Sequence, residues 1–213
     1  MKTEDLVSLL ASGVEPIDAH RTPRRYWLAV IGGLAGALAL TGGLLRFNST
    51  LSQEVYEPMF WVRETYCAAL GSLGLLGVTR LARPGIRLGI VPVGIAAVVI
   101  ILWIGGGVAL LRAPAQERLH LLLGSTAAVC PFLITLLATP LFVAFMWVLR
   151  GLAPTRLRFA GAAGGFAAGS FGALAYSLHC PELAAPFIGV WYLLGISIPT
   201  ALGALLGPRL LRW

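Results

Sequence analysis

The residues of this chain able to do chemistry are few: three cysteines, three histidines and an Arg63-Glu64 step. Cys130 and Cys180 each precede a proline, in Cys130-Pro131 and His179-Cys180-Pro181-Glu182. Two thiols facing an oxidising compartment can close a disulfide. Two thiols joined by His179 or His120 can hold a thiophilic metal ion. Two small buried residues that never meet would do neither, and the residue types leave all three readings open. Cys67 reads as a small buried residue, and His20 has no evident partner. The chain carries no GxSxG and no phosphate-loop lysine, since its one lysine is Lys2. Gly161-Ala-Ala-Gly-Gly is preceded by no strand and followed by no GK[ST], so it is not a phosphate loop. An enzyme is not expected, and neither is a resident cofactor.

The elements that must position these residues follow from composition. The chain has 213 residues, of which 58% are hydrophobic and 12% charged, with mean hydropathy +0.85. Soluble domains are about 25% charged, so these side chains cannot cover a water-facing surface. Continuous apolar runs of about 20 residues argue for membrane-spanning helices and against a β-barrel. The fold class expected is an all-α polytopic six-helix bundle. Its spans are Trp27–Leu45, Met59–Val78, Leu88–Leu111, Cys130–Leu149, Phe159–Leu178 and Phe187–Leu206. Residues 1–26 form a polar tail with no signal peptide evident, 27–206 the transmembrane domain and 207–213 the other tail. Leu119–Val129 reads as an interfacial stretch or helical extension ahead of Pro131. The alternative is one long kinked helix.

Charge orients the bundle. With the N-terminus in the cytoplasm, Lys2, Arg21, Arg24, Arg25, Arg80, Arg83, Arg87, Arg150, Arg156, Arg158, Arg209 and Arg212 all fall inside. Only Arg46, Arg112 and Arg118 fall outside, which is a positive-inside pattern with both termini cytoplasmic. The net charge of +7 is the ordinary result of basic inner loops, and no direct nucleic-acid partner is expected. Cys130 and Cys180 then lie at one level, near the outer face. Arg63 and Glu64 sit about 6–8 Å below Pro58 along a helix. They read as a snorkelling interfacial anchor beside Trp61 and Tyr66, with a buried functional pair as the alternative. No carboxylate falls near the bilayer centre, which weighs against an ion-coupled transporter.

Small residues recur at helical spacing. Gly161, Gly165, Gly169 and Ala173 share one face of span five, and Gly32 and Gly36 one face of span one. They serve close packing inside the bundle or, alternatively, a homodimer through span five. Gly105–Gly107 reads as a local helix defect. In the tail, residues 3–14 read as an amphipathic helix. Glu4 and Asp5 lie in its first turn, and Leu6, Leu9, Leu10 and Val14 form its stripe. A surface-bound membrane helix is usually basic on its polar face, and this one is acidic, which points to a protein partner.

Several runs resemble the NrsF family of bacterial membrane anti-sigma factors. They are MKTEDLVSLLA at 1–11, PMFWVR at 58–63, RPG at 83–85 and LAPT at 152–155. YSLHCPE at 176–182, VWYLLGI at 190–196 and GPRLLRW at 207–213 follow in order. The position of Arg63 is often lysine in that family, so a basic residue is kept. The resemblance implies a multi-pass inner-membrane protein that holds an extracytoplasmic-function (ECF) type sigma factor and releases it on an envelope signal. It implies an outward-facing cysteine pair as the sensing element, which falls on Cys130 and Cys180. The alternative function is a small membrane transporter or a redox protein using the cysteines.

Overall fold

The computed structural model describes residues 21–83, 86–152 and 154–212. The expected tail helix over 3–14, with Glu4, Asp5, Leu6, Leu9 and Leu10, lies outside the described residues, as does His20.

Every regular element among the described residues is helical. In order they are α1 (Arg21–Leu40), a π-helical turn (Thr41–Leu45), α2 (Leu51–Glu54), α3 (Pro58–Leu81), α4 (Val91–Arg112) and α5 (Ala115–Leu123). After these come α6 (Cys130–Arg150), α7 (Leu157–Ser177), α8 (Ala185–Phe187), a second π-helical turn (Ile188–Tyr192) and α9 (Leu193–Leu210). Four segments are long and apolar enough to cross a membrane: Arg24–Leu45, Val91–Arg112, Cys130–Arg150 and Ala185–Leu210. α3 and α7 are as long, at 24 and 21 residues. α7 packs on α9, α3 and α6 at once, and its inward positions are mostly glycine and alanine.

That choice of small residues sets the helix spacing. A Cβ on Gly161 would run into the carbonyl of Gly203, and one on Gly165 into the carbonyl of Pro199. The glycine stripe of α7 is therefore covered by α9, which is the intramolecular use of the pattern. At the α1–α6 contact, Gly36 rests on Pro140 while Gly32 has nothing within 4 Å. The α1 side of that contact is Gly33, Gly36 and Ala37, so Gly32 is not a packing residue within this chain. Gly105–Gly107 does not break α4, which runs through it. Gly106 instead lets the backbone at Pro186 approach, where a Cβ would lie 3.2 Å from the Pro186 nitrogen.

Element ends differ from expectation for local reasons. α1 is already helical at Arg21, ahead of the apolar run that opens at Trp27. α4 starts at Val91, after Gly89 at φ 59° and with Pro92 in its first turn. The stretch before Pro131 is neither one long kinked helix nor a uniform extension. α5 ends at Gly124, whose φ of 52° and ψ of −158° belong to glycine, and a turn leads on to Val129. Pro131 opens α6 instead of kinking it, and Pro140 is the proline inside.

Candidate functional site

The long helices alternate in direction, so the bundle has two chemically different ends. One collects Arg25, Arg80, Arg83, Arg87, Arg150, Arg156, Arg158 and Arg209. There Arg25 lies over Trp147 at 5.6 Å, and Arg80 Nη1 donates to the Leu88 carbonyl at 2.9 Å. The other end collects Cys130, Cys180 and the carboxylates Glu54, Glu57, Glu64, Glu117 and Glu182.

Cys130 is the first residue of α6, and its N–H donates to the Thr126 carbonyl at 2.9 Å. Cys180 follows the end of α7, where its N–H donates to the Tyr176 carbonyl at 3.1 Å. The Thr126 hydroxyl lies 3.8 Å from Cys180 Sγ. Tyr176, Cys130 and Cys180 belong to one buried cluster. Thr126 thus touches both cysteine residues, Cys130 through its carbonyl and Cys180 through its hydroxyl. Both are free thiols with 0% exposure. The expected outward-facing pair therefore sits at the end of the bundle but beneath a cover of chain, not in contact with solvent. Cys67 is also fully buried, inside α3.

The histidines do not complete a metal site. His179 Nδ1 is 2.8 Å from the Arg46 carbonyl, and His120 is exposed on α5. Among the described residues no group of three His, Cys, Asp or Glu side chains converges on a common point. A soft ion would meet the two thiols without a third such donor.

The segment from Leu178 to Ala184 crosses the end of the bundle as a strap, and four groups pin it. The Leu178 carbonyl accepts from Asn48 N–H at 3.0 Å, and His179 reaches the Arg46 carbonyl. The Glu182 carboxylate accepts from both the N–H and the hydroxyl of Ser125, each at 2.7 Å. A Cβ on Gly124 would lie 2.6 Å from that carboxylate carbon, so glycine is required there for space as well as for φ. The fourth group is Arg63, whose Nη1 donates to the Cys180 carbonyl at 2.8 Å and the Glu182 carbonyl at 3.0 Å.

Arg63 is fully buried, which corrects its reading as a snorkelling anchor. Glu54 and Glu64 flank it, with carboxylate oxygens 3.7 and 3.5 Å from its Nη2 and Nε. Glu54 is in turn held by Asn48 and Thr50. A buried cation is costly unless paired and hydrogen-bonded, and this one has both kinds of partner. Depth along the helix alone missed it. The available signal was that Glu54, Glu64 and Glu182 all belong to segments at one end, where Arg63 is next to Glu64 in sequence.

Apolar helices packed on a glycine-rich interior, with polar chemistry gathered at one end, define an all-helical bundle of membrane-protein character. Residues 10–213 match the family model described as "Negative regulator of sigma F", NrsF, and the chain belongs to that family. It is 44% identical over 213 residues to the probable anti-sigma-F factor NrsF of Azospira oryzae, with both chains fully covered. It is 39% identical over 225 residues to the anti-sigma-F factor NrsF of Caulobacter vibrioides, again across both whole chains. No solved structure matches. As a member of this family the protein is a negative regulator of a sigma factor, a regulatory protein and not an enzyme.

Proposed function

We propose that this protein is a six-span inner-membrane anti-sigma factor, with both termini in the cytoplasm, that sequesters an ECF-type sigma factor and releases it on an envelope signal. The whole-chain similarity to two anti-sigma-F factors, with the family match over residues 10–213, carries the reading. The sigma factor docks on the acidic, leucine-striped segment of residues 3–14, through Leu6, Leu9 and Leu10. A sigma factor held at the bilayer surface cannot engage RNA polymerase.

Cys130 and Cys180 sense the signal as one unit. Their common contact with Thr126 supports this, because a change at one cysteine is felt by a neighbour of the other. Oxidation joins the two sulfurs in a disulfide, with two electrons and two protons passing to the oxidant. A thiophilic metal ion instead displaces the thiol protons and bridges the sulfurs. Either change draws the start of α6 and the end of α7 together, and those stiff helices carry the shift to the arginine end.

Co-purification of the full chain with its cognate sigma factor tests the partner. Leu6→Asp with Leu10→Asp should abolish co-purification and leave membrane insertion intact, since a charge buried unpaired at an interface is costly. Co-purification unchanged by these substitutions would move the docking site to the arginine-rich loops.

A further inference from the structure

We infer that Arg63 is the latch of the Cys180 strap: from inside α3 its guanidinium holds the Cys180 and Glu182 carbonyls and thereby keeps the Cys180 thiol closed against Thr126.

Three observations carry this. Both hydrogen bonds come from the one Nη1, at 2.8 and 3.0 Å, so a single side-chain atom of another helix holds two carbonyls of the strap. Arg63 is the largest fully buried side chain of the described residues, and it is aimed at the strap rather than at the bilayer surface. Its remaining nitrogens, Nε and Nη2, have no hydrogen bond of good geometry and meet Glu64 and Glu54 only at 3.5 and 3.7 Å. The guanidinium is thus tethered loosely on the carboxylate side and tightly on the strap side. A residue serving only to neutralise Glu54 and Glu64 would show the opposite bias.

Chemistry at the thiol then has to pass through this latch. Cys180 is fully buried and its own carbonyl is gripped, so a reagent cannot reach Sγ unless the strap lifts. Lifting the strap costs the two Arg63 bonds, and hydrogen bonds to a charged group are the stronger kind. Arg63 is a positioning residue in this account. It touches no reagent and sets how often Cys180 is exposed. The inference rests on the sensing reading above for its biological meaning, while its structural content stands on the strap alone.

The test is the rate at which a membrane-impermeant maleimide modifies each cysteine of the full-length protein in native membranes, read peptide by peptide by mass spectrometry. Arg63→Gln should raise the Cys180 rate by roughly 10- to 100-fold, the loss expected for two charge-assisted bonds. Cys67, in the interior of α3, should stay protected. Arg63→Lys, which keeps a cation near the carbonyls, should give a rate between the two. If Arg63→Gln also exposes Cys67, the bundle has opened, and Arg63→Lys decides: it should raise Cys180 labelling several-fold with Cys67 still protected. An unchanged Cys180 rate in these variants overturns the latch. A sigma-dependent reporter separates the two ideas. Faster Cys180 labelling with an unaltered inducible response keeps the latch and removes Cys180 from sensing.

Discussion

Removal of the Glu182 carboxylate should free the strap from the α5–α6 side. In Glu182→Ala two hydrogen bonds are lost together, from the Ser125 N–H and hydroxyl, both at 2.7 Å. Bonds to an ionised carboxylate contribute about 1.5–3 kcal/mol each when buried. Ser125 and half-buried Glu182 are partly open to solvent, so water replaces much of what is lost and screening reduces the rest. A net cost of about 2 kcal/mol is the working figure, equal to roughly a 30-fold rise in the open population. Since Cys180 Sγ is buried when the strap is down, its reaction with a thiol reagent follows that population. The assay is the Cys180 labelling rate in the otherwise native chain. Glu182→Ala should raise it by about 30-fold, and Glu182→Gln, which keeps an acceptor, by less. A change below about threefold in Glu182→Ala, well short of the hydrogen-bond estimate, would refute the claim that this carboxylate anchors the strap.

Other consequences are open to measurement. Gly161→Ala forces a Cβ into the Gly203 carbonyl and should cost about 1–3 kcal/mol or more, read as a lower thermal midpoint in detergent. Gly32→Ala, with nothing within 4 Å, should be neutral or raise it. Arg46 holds φ 65° and ψ 150°, a region that suits glycine. Arg46→Gly should therefore raise the midpoint by about 2–4 °C, the equivalent of about 1 kcal/mol in a chain of this size. Reporter fusions at residues 50 and 115 should read as outside, and at 84 and 154 as inside. An inside reading at 50 together with an outside reading at 84 would invert the charge argument.

The pattern of residues disclosed helices more readily than what covers them. The Gly161, Gly165, Gly169 spacing marks a close contact because only a missing Cβ permits one, and α9 fills that place. Its occupant was not legible, since an α7–α7 contact between two copies would use the same spacing. Counting residues along helices puts Cys130 and Cys180 at one level, and Thr126 touches both residues. Their burial did not follow, because it depends on how the Leu178–Ala184 strap lies across the bundle end, and no periodicity describes a strap. Arg63 failed for the same reason. Its distance from the start of the helix placed it within snorkelling reach of water, while the strap and Glu54 close over it. The break between α5 and α6 hid in a continuous apolar run, because Gly124 ends the helix through a backbone angle rather than through polarity.

The most direct test of the account is a sigma-dependent reporter in cells carrying the wild-type chain, Cys130→Ser, Cys180→Ser or the double variant, challenged with a thiol oxidant or a thiophilic metal salt. Two residues acting as one unit are non-additive. Each single substitution should blunt induction, and the double variant should respond no less than either single one. Full induction in Cys130→Ser or in Cys180→Ser would contradict the cysteine pair as the sensor.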